Sequence, residues 1–350
     1  MPAKVSPNGE IGSPPDGGAG KGSVVLLMWL ALAFLSAALL GFYDVFKKQA
    51  LKGNAVVPVL TLNTLICSLI FLPFVLLSAT GHIAASSLFY VPVCGWEVHK
   101  YIVLKAVIVL SSWLCGYYAI KNLPLTIVGP INATRPVMVL LGAILVFGER
   151  LNLHQWIGVL LAIFSFYLLS RSGKKEGIDF RHNRWIALAV LAAAFGAVSG
   201  LYDKYLMAPP ESGGVGLNRM AVQSYFMIYQ FLMMSGILCI QVKEEKSKEK
   251  NEVKGKSLFS SSFFSCSLFS SSLPFILLIS LFLSAADFVY FYALSLPNAL
   301  ISVVSMIRRG SVLVSFAVGA MVFHEKNLRS KVIDLVLVLL SMVFLWLGSK

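Results

Sequence analysis

Ten apolar runs, at residues 24–46, 55–79, 101–120, 125–148, 153–170, 185–207, 220–242, 273–294, 299–323 and 332–347, limit this chain to very few folds. About 20 such residues, at 1.5 Å rise each, match the hydrocarbon thickness of a bilayer. Backbone polar groups have no water partner there, so each run is expected as a helix that satisfies its own hydrogen bonds. The composition agrees, with 57% hydrophobic and 13% charged residues, and a mean hydropathy of +0.80, values outside the range of soluble domains. The expected fold is an all-α polytopic membrane protein with ten transmembrane helices. An even number of spans places both termini on one side.

A net charge of +13 does not point to nucleic acid, because most Lys and Arg sit in short connections between apolar runs, where they set topology and meet headgroups. Five cysteines without a CxxC, and five histidines in loops or span ends, predict no disulfide framework, metal site or cofactor. No phosphate-binding loop or nucleophile–base motif is present, so energy, if used, would have to come from a gradient.

The chain repeats itself. Gly41-Phe42-Tyr43-Asp44 returns 159 positions later as Gly200-Leu201-Tyr202-Asp203. Tyr117-Tyr118-Ala119-Ile120 returns as Phe291-Tyr292-Ala293-Leu294 at an offset of 174, and Glu149 returns as Glu325 at 176. The offset jumps where the second half carries an extra Lys/Glu and Ser/Phe segment. The expected organisation is a disordered tail (1–23), a five-helix repeat (24–170), a charged linker (171–184) and a second five-helix repeat (185–348), with a low-complexity loop at 243–272. Residues 80–100 have room for a short interfacial helix. Five spans per unit is an odd number, so the second copy enters from the opposite face and the repeats are inverted, an architecture shared by many secondary transporters.

The run Gly148-Glu149-Arg150-Leu151-x-x-x-Gln155-x-x-Gly158, with a Leu-Pro preceding span four, resembles the fourth-to-fifth helix junction of the EamA-like branch of the drug/metabolite transporter superfamily. The second half departs, with Phe-His-Glu-Lys-Asn-Leu and no following Gln-x-x-Gly. The resemblance implies ten helices in two inverted repeats around a central cavity, and export or exchange of small metabolites.

Intramembrane charges are costly and mark candidate sites. Asp44 and Asp203, each beside a tyrosine (Tyr43, Tyr202), are read as symmetric gates toward opposite faces, or as helix-end carboxylates paired with nearby lysines. Asp287 breaks the symmetry, since its counterpart is Trp113. It is either a coupling carboxylate or one half of an ion pair with Arg308 or Arg309. Arg135, Arg308 and Arg309 offer planar forks suited to carboxylate or phosphate, with Asn132, Tyr117 and Tyr290 as further substrate contacts. Pro130 and Pro136 loosen the helix around Arg135. Glu149 and Glu325 mark helix junctions.

The leading reading is a secondary transporter of a small polar metabolite by alternating access, with a proton or counter-substrate as coupling partner and the bacterial inner membrane as its place. A membrane-embedded enzyme on lipid-linked substrates and a non-transporting receptor or scaffold are the alternatives. Basic residues concentrate in the odd-numbered connections, which puts the termini outside; the resemblance puts them in the cytoplasm. Substrate, transport direction and oligomeric state stay open.

Overall fold

The computed structural model describes residues 17–135, 137–138, 152–174, 182–252, 266–296, 304, 307–322 and 328–348. Ten α-helices occupy them: α1 (Gly17–Ala50), α2 (Val56–Ala79), α3 (Trp96–Asn122), α4 (Leu125–Ala133), α5 (Leu153–Lys174), α6 (Arg184–Met207), α7 (Arg219–Glu252), α8 (Cys266–Ser295), α9 (Ser311–Val322) and α10 (Leu328–Gly348). Six stretches (Met28–Ala50, Val56–Ala79, Trp96–Asn122, Arg184–Met207, Arg219–Glu244 and Ser272–Ser295) are long and apolar enough to cross a membrane. The regular structure among the described residues is all helical, and the chain is a multi-pass integral membrane protein. Large apolar side chains such as Phe34, Leu69, Val107, Leu160, Ile163 and Leu281 lie exposed on the helix surfaces. That is the pattern of helices whose outer face meets lipid rather than water.

Several boundaries differ from the sequence expectation. Helix α1 begins at Gly17, inside the stretch expected as a disordered tail, because an apolar helix propagates outward at little further cost once formed. Residues 243–252 continue α7, and 266–272 open α8, so the segment expected as loop is helical at both ends. Glu244 and Glu245 precede Lys248 at spacings that favour helix, which explains the first extension. Likewise α5 runs to Lys174, into the expected linker. Residues 80–95 hold turns rather than an interfacial helix, and α3 starts directly at Trp96.

Pairing between helices follows a regular pattern. Helix α1 packs along α8 and α3 along α6, while α2 meets α7, α4 meets α9 and α5 meets α10. The α1–α8 pair runs antiparallel. Phe42 and Phe46 pack at a tilt against Phe282, with ring centroids 5.8 and 5.3 Å apart, and Ser36 Oγ donates to the Ala286 carbonyl at 2.7 Å. The α3–α6 pair has the same character, with Ser112 Oγ donating to the Ala192 carbonyl at 2.8 Å and Tyr118 stacked on Trp185. In a bilayer, such interhelical hydrogen bonds and close packing hold helices together, since burying apolar surface offers no gain over lipid. Gly41 permits a close approach of α1 to α9: a Cβ there would stand 2.8 Å from the Ser311 carbonyl oxygen and would overlap Val314.

Two features shape the centre. Helix α4 ends at Ala133, where Thr134 turns its hydroxyl onto the Ile131 carbonyl at 2.7 Å, three residues after Pro130 and just before Pro136 in the sequence. The chain then carries Arg135 toward the middle of the molecule. Lys48 finishes α3 from outside: its ammonium donates to the carbonyls of Ile120 at 2.6 Å and Leu123 at 2.7 Å, groups that a helix C-terminus leaves unpaired.

Candidate functional site

A cavity of about 160 Å³ opens between α1, α3, α4, α6, α8 and the start of α9. In an otherwise apolar molecule its walls are charged. Asp44, Asp203 and Asp287 line it, with Lys47, Lys105, Arg135, Arg308 and Arg309.

Each carboxylate has a cation. Lys47 Nζ donates to Asp44 Oδ1 at 2.6 Å, one turn along α1. Lys105 on α3 bonds Asp203 on α6 across the helix interface, with both side chains nearly sealed from solvent. Arg308 bonds Asp287 of α8. The same cations lie over aromatic faces. Lys47 is 4.3 Å from the ring centroid of Tyr43, Lys105 is 5.0 Å from those of Phe226 and Phe291, and Arg308 is 4.1 Å from that of Tyr290. Ring faces carry negative potential, so they lower the cost of holding a cation away from water.

Arg135 and Arg309 have no ion pair among the described residues. Arg135 donates through NH2 to Asn132 Oδ1 at 3.1 Å, but its Nε is buried without a partner. Its guanidinium lies flat against α6 at Gly196, in the space that any larger side chain there would fill.

A buried polar relay stands behind Asp44 and Lys47. Tyr43 and Tyr117 place their hydroxyls 3.3 Å apart, Asn63 Nδ2 donates to Tyr117 OH at 3.2 Å, and Ser280 Oγ donates to Asn63 Oδ1 at 2.9 Å. The chain of bonds joins α1, α2, α3 and α8. It fixes the rings on which Lys47 rests.

The residues singled out in the sequence fall into three groups. Asp287, Trp113, Arg135 and Arg308 line the cavity, as do Arg309, Asn132, Tyr117 and Tyr290. Tyr43, Asp44 and Asp203, expected as gates flanking the cavity or as helix-end carboxylates paired with lysines, also line its wall, and each carboxylate is bonded to a buried lysine. Tyr202 does not line the cavity: its hydroxyl donates to the Tyr101 carbonyl at 3.2 Å, on the α3–α6 seam. Glu149 and Glu325 lie outside the described residues. Lys105 is absent from the sequence candidates, although the signal was present: it is the one charged residue between Tyr101 and Ile120.

Comparisons with known proteins bear on the first half of the chain most directly. Residues 27–171 match the model of the EamA-like transporter family. A Pseudomonas aeruginosa protein known only as an uncharacterized transporter is 30% identical over 145 residues, covering 40% of this chain. The aligned part spans about half of that relative's length, 46%. A solved crystal structure superposes with a TM-score of 0.54 at 12% identity, covering 93% of this chain and 98% of its own, a likeness of fold alone. Residues 27–171, which carry the Tyr43–Asp44 pair, Lys105 and Arg135, are thus similar to the EamA-like transporter family.

Proposed function

We propose that the protein is a secondary transporter that moves a small polar metabolite by alternating access at this cavity. The observation that carries the reading is a charged cavity of about 160 Å³ enclosed by helices from both halves of a membrane-spanning chain. A cavity of similar size binds a molecule such as benzene in a soluble protein. The transporter family of residues 27–171 and the transporter-named relative support it.

The inverted repeat belongs to the same proposal. Exchanging the halves, α1 with α6 and α3 with α8, turns the α1–α8 contact into the α6–α3 contact and leaves the α2–α7, α4–α9 and α5–α10 contacts unchanged. That reciprocity, with the repeated Tyr-Asp motif, is what two units related by a two-fold axis in the membrane plane would produce. Rocking one half against the other would then open the cavity to each side in turn. Driving force would come from a proton or a counter-substrate.

An enzyme on lipid-linked substrates is less well supported, because each of the three carboxylates in the cavity is held by a cation. Flux into proteoliposomes tests the proposal. Saturable uptake of a metabolite, abolished when Lys105 and Asp203 are both replaced by alanine, is expected. Absence of saturable flux across amino acids, organic acids and sugars, with and without a pH gradient, would sink it.

A further inference from the structure

The cavity wall holds three carboxylates and five cations, and each carboxylate is bonded to one lysine or arginine. Two positive charges, on Arg135 and Arg309, are left over among the described residues. Both arginines lie within electrostatic reach of each other and of Arg308, so they repel. Arg135 Nε is buried with no acceptor. Uncompensated charge inside a membrane protein is unfavourable unless something of opposite sign occupies the site. Among the described residues, the carboxylates nearest to them, Asp44 for Arg135 and Asp203 for Arg309, are each already bonded to a lysine, and Asp287 is bonded to Arg308.

We propose that the substrate is a small dianion, held between the guanidinium groups of Arg135 and Arg309, and that the protein works by exchange. The inference rests on the transporter reading above. A guanidinium presents two parallel N–H donors that match a carboxylate or a phosphate, and two guanidiniums match two negative charges. A zwitterion would leave the excess charge unbalanced, and a monocation would add to it. The cavity volume, about 160 Å³, suits a short dicarboxylate or inorganic phosphate and leaves little room for more.

Exchange follows from the same charge count. To reach the opposite face, the protein must pass through a state in which the cavity is closed on both sides. Closing it while empty buries two like charges in a low-dielectric interior, whereas closing it around a dianion buries a neutral set. The loaded protein therefore reorients readily and the empty one does not, so net uptake requires an anion travelling the other way.

Both parts are tested on the full chain in proteoliposomes, with labelled succinate and labelled phosphate as probes and alanine and lysine as comparators. Succinate or phosphate should enter vesicles preloaded with either dianion roughly tenfold or more faster than empty vesicles, as expected when one state of a two-state equilibrium is strongly disfavoured. Equal rates with and without preloading would overturn exchange. Saturable alanine or lysine flux that neither dianion inhibits would leave the transporter reading in place and overturn the dianion. In detergent, succinate or phosphate should raise the melting temperature of the wild-type protein, and that shift should vanish in Arg309→Gln. A shift without any flux would keep the dianion site and sink transport instead. Absence of both a melting-temperature shift and dianion flux would overturn the proposal. If Arg309→Gln does not fold, Gly196→Ala provides the second variant: it pushes the Arg135 guanidinium aside at unchanged charge. It should weaken dianion binding roughly tenfold or more, and wild-type affinity would count against the site.

Discussion

Lys105 and Asp203 form an ion pair that joins α3 to α6 across the two halves of the chain, with 2% and 8% of their surfaces exposed. A pair so enclosed contributes less than its attraction suggests, because both ions gave up their hydration. Removing one member alone, however, leaves the other charge stranded. Lys105→Met or Asp203→Asn should each cost about 3–5 kcal/mol in stability, and the double variant Lys105→Met/Asp203→Asn should recover much of that loss. Thermal unfolding in detergent checks it: additive losses in the double variant would show that the two residues act independently.

Tyr117 is held by two partners whose loss has unequal consequences. Tyr117→Phe strands the Nδ2 group of Asn63, a buried donor, and should cost about 1–3 kcal/mol. Tyr43→Phe removes a longer bond and should cost less. Chemical denaturation of the two variants side by side gives the order, and a reversed order would mean that Asn63 finds another acceptor.

Lys48 points away from the cavity and secures the end of α3. Lys48→Met removes charge-assisted bonds to the Ile120 and Leu123 carbonyls and should destabilise by about 1.5–3 kcal/mol. Substrate affinity per folded molecule should be unchanged. A lowered melting temperature with normal affinity is the expected pair of readings.

Gly41→Ala inserts a methyl group where α1 meets the Ser311 carbonyl and Val314. Overpacking of this kind costs about 1–3 kcal/mol, and here it also separates α1 from α9. The loss should appear as a lower melting temperature; a neutral result would mean that α9 shifts freely.

Cys94 offers a probe outside the spans. Partial burial raises its thiol above the ordinary range, so its thiolate fraction at neutral pH is smaller than that of free cysteine. Alkylation should therefore accelerate with pH through a midpoint higher than about 8.5, the free-thiol value. Cys67, fully buried, should label only on unfolding. Rates measured from pH 7 to 10 decide the point.

The helical class and the residues of the cavity were legible in the sequence because each has a local signature. Apolar runs of spanning length dictate helices, and a charge inside such a run is conspicuous whatever the tertiary structure. The four charged residues picked on that basis, Arg135, Asp287, Arg308 and Arg309, share one cavity, together with Trp113, Tyr117, Asn132 and Tyr290. Pairing was not legible. That Asp203 is met by Lys105 rather than by a lysine of its own helix, and Asp287 by Arg308, depends on which helices become neighbours. Repeat symmetry also misled: it suggested that Tyr202 behaves as Tyr43 does, yet Tyr43 meets Tyr117 inside the cavity and Tyr202 faces the α3–α6 seam, because Phe291 stands at the position equivalent to Tyr117. Helix ends were least legible, since Lys/Glu and Ser-rich stretches read as solvated loop although they can continue a helix already begun.

The seams between α1 and α8, and between α3 and α6, each join one helix from either side of the linker. Severed at residues 175–181, each fragment would display a face built to meet the other, with Ser36 and Ser112 lacking the carbonyls to which they donate. A five-helix fragment made alone should be a substrate for membrane quality control, whereas the two made together should find each other and assemble. Neither half is therefore expected to fold alone.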